Sequence, residues 1–222
     1  MEEAWELTVV TKFGTFIFPV MLLAGCASPN SGGIPNLVSK SKLEQMANVS
    51  WQDTISRMGL SEDIAAKARF ETVANKVIAA SYLSDEDWDI KLLKGDNPFI
   101  FSLPGNRLGG RAIEQMSDDR IASMTAFGIA SLELNHAQQR VSRQFLGNAL
   151  LSLSTGSLLG GGKATERQRK LSKLGVNQPP LPPTVEMSKA ATQRAEEIII
   201  KAGFTPDFFV STNPLSLGGP LK

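Results

Sequence analysis

Apolar residues along the middle of the chain recur with two periods, and the switches between them mark out elements. Ala66, Phe70, Val73, Val77 and Ala80 stand at spacings of four and three, so they line one face of a helix. Ser61, followed by Glu62 and Asp63, supplies a capping hydroxyl and then negative charge at the positive end of the dipole, which predicts the start of that helix. Trp88 to Lys94 alternates imperfectly, as a half-buried strand does. Phe99-Ile100-Phe101-Ser102-Leu103 predicts a second strand, stopped by Pro104-Gly105, and Leu108 to Ile113 a third, weakened by Gly109 and Gly110. Ser117-Asp118-Asp119 opens another helix by the same capping logic, carrying Ile121, Met124, Ile129, Leu132 and His136 and extending towards Gln144. Glu186 to Ala202 predicts the last long helix, closed by Gly203 in a left-handed conformation. Thr205-Pro206-Asp207 predicts the start of a short helix, with proline at its first position. The fold class expected is α+β, mainly helical, with a small antiparallel or mixed sheet.

Between these elements the composition changes. Ser28 to Ser41, with Pro29, Gly32, Gly33 and Pro35, reads as a flexible tether. Phe145 to Leu159 is apolar but interrupted by Ser and Gly, which suits a mobile hairpin or an interfacial helix better than a membrane span. Gly160 to Gly162 breaks it, Thr165 to Lys173 is basic and solvated, and Pro179-Pro180-Leu181-Pro182-Pro183 is a stiff extended connector. There is no internal repeat. The expected organisation is a leader over 1–25, a tether over 26–41 and one domain over 42–222, with the hairpin and linker at about 145–185.

A formal charge of +1 over 222 residues gives no reason to expect a nucleic-acid partner. The single cysteine and single histidine exclude a disulfide framework and any Cys/His-rich zinc module. The cysteine follows the apolar run Phe13 to Ala24, which has the length of a signal-peptide core and is too short to cross a bilayer. Leu23-Ala24-Gly25-Cys26 resembles the lipobox read by lipoprotein signal peptidase. That resemblance implies acylation of Cys26 as the mature N-terminus and anchoring in a membrane. Ala27 in the second mature position implies the outer membrane, with the domain facing the periplasm. Glu2, Glu3 and Glu6 precede the only basic residue of this stretch, Lys12, an unusual start for an export signal.

Leu132-Glu133-Leu134-Asn135-His136 matches part of H-E-x-x-H, in which two histidines on one helical face hold zinc and the glutamate activates a metal-bound water. Phe101-Ser102-Leu103-Pro104-Gly105 resembles the F-A-L-P-G strand of the HtpX/CAAX-prenyl-protease family of metallopeptidases, particularly its periplasmic BepA-like branch. Ser117 to Ser131 resembles that family's approach to the motif, and Lys201-Ala202-Gly203-Phe204-Thr205-Pro206 its A-R-A-G-Y-D-P signature. The resemblance covers roughly Ser61 to Val210. It implies a gluzincin-type, zincin-like domain with the small sheet packed against the motif helix. Carried over by position, it puts Glu133 at the general base and His136 at the second histidine, but Leu132 at the first histidine and Ala190 at the third ligand. Thr192 stands where an aspartate would orient a ligand histidine, and Glu186, one turn before Ala190, is the nearest spare carboxylate.

One imidazole and one carboxylate are too few for a catalytic zinc. The cofactor expected is therefore none, and hydrolysis by the family's mechanism is not expected. Gly156 to Lys163 lacks the order of a phosphate loop, and no nucleophile elbow accompanies His136. The resemblance then implies a pseudopeptidase, a peptide-binding or assembly factor of the envelope with an envelope or outer-membrane protein as partner, acting in protein quality control. The strand holding Phe99, Phe101 and Leu103 is the candidate for docking peptide by strand addition, with Leu108 to Ile113 as the other choice. The alternatives are an active metalloendopeptidase with zinc as its cofactor, held in an unusual site or in one completed by a partner chain, and a structural lipoprotein unrelated to peptidases.

Overall fold

A computed structural model describes residues 36–155 and 181–208. Helix α1 (Lys40–Met58) opens on Ser39, whose hydroxyl accepts the Lys42 N–H at 3.2 Å. The sequence pattern predicts a tether through Ser41 and assigns no element within the first part of the domain, 42–60. Here α1 buries only Leu43, Met46, Ala47 and Trp51 on an otherwise polar helix, so its apolar stripe is thin. Helix α2 (Ile64–Ala79) is capped by Asp63, which accepts the Ala66 N–H at 2.9 Å. Ser61, the expected cap, instead donates its N–H to Leu92 O at 2.8 Å, on the flank of the first strand.

Strands β1 (Asp89–Leu93), β2 (Phe99–Leu103) and β3 (Arg107–Arg111) form one mixed sheet in the order β1-β3-β2. β3 runs parallel to β1 and antiparallel to β2, and the β2–β3 turn uses positive φ at Gly105 and Asn106. The third strand stops at Arg111 rather than Ile113, because Ala112 turns left-handed at φ +48° and Ile113–Gln115 winds as a 3₁₀ turn.

Register assigns the two faces. Ile90, Leu92, Ile100, Ser102, Leu108 and Gly110 share one face, which carries the core. The other carries Phe99, Phe101, Leu103, Gly109 and Arg107, and Trp51 of α1 meets Phe101 edge-on there at 5.9 Å. The two central glycines make room on opposite sides: a Cβ at Gly110 would lie 2.8 Å from the Phe70 ring, and one at Gly109 would strike Phe101. Phe70 is fully buried, so it cannot retreat. Gly110→Ala is therefore expected to destabilise by about 1–3 kcal/mol, measured by denaturant unfolding. The penalty should shrink in the presence of Phe70→Leu, and strictly additive effects would contradict the contact.

Helix α3 (Asp118–Glu133) begins at Ser117, whose hydroxyl accepts the Arg120 N–H at 3.1 Å, with Asp118 and Asp119 in the first turn as the sequence predicts. It packs on β2, α2 and the last helix, α5 (Val185–Lys201). Gly128 permits the approach to β2, since a Cβ there would lie 2.8 Å from Ser102 Oγ. α5 is capped by Thr184 and so starts one residue before the expected Glu186, and it ends with Gly203 at φ +81°, as expected. Thr205 to Asp207 form no helix. Their N–H groups are taken by α3 instead, Thr205 donating to Asp119 Oδ1 at 2.9 Å and Asp207 to Ser123 Oγ at 2.8 Å.

Helix α4 (His136–Thr155) continues through the first part of the expected apolar hairpin as helix. Val38, Leu43, Met46 and Val141 pack α1 and its lead-in against α4. Among the described residues no helix is long and apolar enough to cross a membrane. The leader with Cys26, most of the tether, Gly160 to Gly162, the basic stretch and Pro179-Pro180 lie outside the described residues. The observed class is α+β, helices around a small mixed sheet that lies against α3.

Candidate functional site

The motif window straddles a helix break. Leu134 N–H still donates to Ala130 O at 3.0 Å, but Asn135, at φ +55°, turns the chain left-handed. Asparagine tolerates that conformation better than most residues. His136 then opens α4, and Gln139 Nε2 donates back to Leu134 O at 3.0 Å to finish α3. One continuous helix from Ser117 past His136 is thus corrected to two helices. Positions 132 and 136 do not share the single helical face on which paired imidazoles meet a metal.

Glu133, the last residue of α3, is held from three sides. Arg194 Nε of α5 donates to Oε2 at 2.6 Å, Arg194 Nη2 to Oε1 at 3.4 Å, and the Tyr82 backbone N–H to Oε1 at 2.6 Å. Arg194 also donates to Glu197 at 2.7 Å and lies 4.0 Å over the Tyr82 ring. The Glu133 side chain is 5% exposed and that of Arg194 16%, so the pair is largely withdrawn from water. The hydrogen bond that Arg194 donates to Glu133 holds its guanidinium above the ordinary arginine range, against the effect of burial and with help from Glu197. A general base needs a carboxylate lone pair aimed at the proton it removes. Here the carboxylate oxygens are aimed at a guanidinium and a backbone amide.

The remaining positions add no donor set. Leu132 is half-buried at the end of α3, and Ala190 lies on α5 one helical turn before Arg194. Thr192 donates its hydroxyl to Ser188 O at 2.9 Å within its own helix. Glu186 is exposed in the first turn of α5, its carboxyl held below the usual range by its own backbone amide and by Thr184. His136 is buried, and burial, then Arg140 and Arg143, push its imidazole below the ordinary histidine range. The described residues contain no group of three His, Cys, Asp or Glu side chains arranged to hold a metal. With Leu132 and Ala190 lacking donor atoms and Glu133 engaged, these residues do not fit the zinc that the family resemblance implies.

The strand candidates stand differently. β2 pairs only with β3 among the described residues, so its outer edge has no strand partner. Phe99 and Phe101 stack at 5.8 Å on the face turned from the core, and Arg111 lies 5.9 Å over Phe99, which is 37% exposed. Leu103 ends the strand on the same face.

Arg194 and Tyr82 carry no motif that marks them in the sequence. The available signal is positional, a cation four residues after Ala190 on the helix expected to face Glu133. No protein-family model matches the chain, and no curated protein matches it.

Proposed function

We propose that the chain is a lipoprotein anchored through Cys26 whose domain is a degenerate, zincin-like member of the HtpX/CAAX-prenyl-protease-like metallopeptidases. In this reading it is a pseudopeptidase, which binds extended polypeptide in the cell envelope without cleaving it. The observation that carries the reading is the Glu133–Arg194 pair: the carboxylate at the general-base position is neutralised by a guanidinium 2.6 Å away. A fixed cation from α5 then occupies the electrostatic role that a metal would have beside this glutamate. Leu132 and Ala190 are in keeping with this, since neither position has to present a donor.

The binding half of the proposal rests on β2. An unpaired strand edge offers main-chain donors and acceptors to an extended peptide, and Phe99 with Phe101 offers apolar contact beside it. The anchor would hold that edge at the periplasmic face of the outer membrane, where unfolded envelope proteins are the fitting partner.

The test uses the full chain in non-ionic detergent with fluorescently labelled, unfolded casein. Saturable binding with the casein left intact is expected, with or without added zinc. Cleavage that a chelator abolishes would overturn the proposal in favour of an active endopeptidase.

A further inference from the structure

His136, Arg140 and Arg143 stand at spacings of four and three on α4, so the helix aligns them in one stripe. The stripe faces the chain leading into α5. Arg140 Nε donates to Leu181 O, and Arg143 Nη2 reaches Pro182 O at 3.5 Å and Met187 Sδ at 3.4 Å. Those contacts leave donors over. Arg143 Nε is buried without a partner, and His136, at 7% exposure, makes no ring hydrogen bond among the described residues.

Among the described residues, no acidic group offsets Arg140, which burial and the neighbouring Arg143 both hold below the ordinary arginine range. From α5 the acid that acts on the stripe is Glu186, which is fully exposed and acts on Arg143. Clustered guanidinium groups partly withdrawn from water are costly without an anion. The first turn of α4 adds backbone N–H groups that have no partner within the helix, at the positive end of its dipole, and His136 sits in that turn.

We propose that this stripe is an oxyanion site that takes a phosphate group, as inorganic phosphate or as the phosphodiester of an anionic lipid headgroup. The two arginine forks match the spacing of phosphate oxygens and supply charge-assisted hydrogen bonds. His136 contributes a third donor beside the two arginines. A lipid source is in keeping with the apolar sequence of the rest of α4, which runs on to Thr155 through Phe145, Leu146, Leu150, Leu151 and Leu153. The site is independent of the pseudopeptidase reading, since neither Glu133 nor β2 takes part.

His136 is the only histidine in the chain, so its ring proton resonances report on this site alone. The experiment titrates those resonances against pH in the full chain in non-ionic detergent, at constant ionic strength, with rising inorganic phosphate. A saturable upward movement of the His136 midpoint, by about one pH unit, is expected, because a bound anion favours the imidazolium. Arg140→Gln is expected to weaken the phosphate response at least about tenfold, and Arg143→Gln serves equally if the first variant does not fold. In a second arm, the same shift in phosphatidylglycerol vesicles, absent in phosphatidylcholine vesicles and needing no added phosphate, identifies the lipid source. A response to inorganic phosphate alone identifies the free anion. No shift in either arm, an equal shift with chloride, or an undiminished shift in a folded arginine variant would overturn the proposal.

Discussion

Arg194→Ala is expected to destabilise the protein by about 3–5 kcal/mol, the loss typical of removing one partner of a buried ion pair. Exposure decides this magnitude. A solvent-exposed pair contributes about 0–1 kcal/mol, but the Glu133 side chain is 5% exposed and would be left withdrawn from water without its guanidinium. Only the Tyr82 N–H, at 2.6 Å, would remain to it. The Arg194–Glu197 contact adds little, because Glu197 is 67% exposed. Arg194→Lys should fall between, keeping the charge but losing the fork that addresses both carboxylate oxygens. Glu133→Leu combined with Arg194→Leu should recover much of the loss, since an apolar pair carries no desolvation cost. Denaturant unfolding measures all three variants. An Arg194→Ala variant within about 0.5 kcal/mol of the parent would show that the pair does not hold α3 to α5.

Trp51→Ala is expected to cost a similar amount, about 3–5 kcal/mol, from lost burial and the cavity left behind. Trp51 is fully buried and is the main apolar link between α1 and the outer face of the sheet. Its Nε1 donates to Asp89 Oδ2 at 2.6 Å, tying the helix to the first strand as well. Asp89 also carries an acid-side signature. Burial pushes its carboxyl up, but hydrogen bonds from Lys91 and Trp51 outweigh that and hold it below the usual range. The folded state then binds fewer protons than the unfolded one, so this stabilisation is present above about pH 4 and is lost as pH falls through the lower folded value. Trp51→Phe keeps most of the ring volume and removes the donor. It should unfold with a smaller loss than Trp51→Ala and a shallower dependence on acid, read from unfolding midpoints across that pH range.

Local patterns in the chain predict the elements that bury a broad apolar face. Ala66 to Ala80 and the β2 residues alternate at helical and strand periods, and Ser117 and Gly203 punctuate the helices at their observed ends. α1 is not legible, because four buried residues on a polar helix give little periodic signal. Nor is the break between α3 and α4, where one left-handed asparagine interrupts a pattern that reads as helix on both sides. The site suffers most from non-local chemistry. Glu133 is visible in its motif, but its partner lies 61 positions away, and no spacing rule connects residues that meet only through α3–α5 packing. The short helix expected at Thr205 fails for the same reason, its N–H groups being claimed by Asp119 and Ser123 of α3.

The central claim is that the glutamate of the motif serves an ion pair and that no catalytic zinc site is assembled around it. Zinc content of the full chain, by elemental analysis after equilibration with zinc and removal of free metal, tests this most directly. A clearly substoichiometric amount, unchanged in Glu133→Gln, is the predicted result. One zinc per chain, lost in Glu133→Gln or His136→Gln, would contradict it.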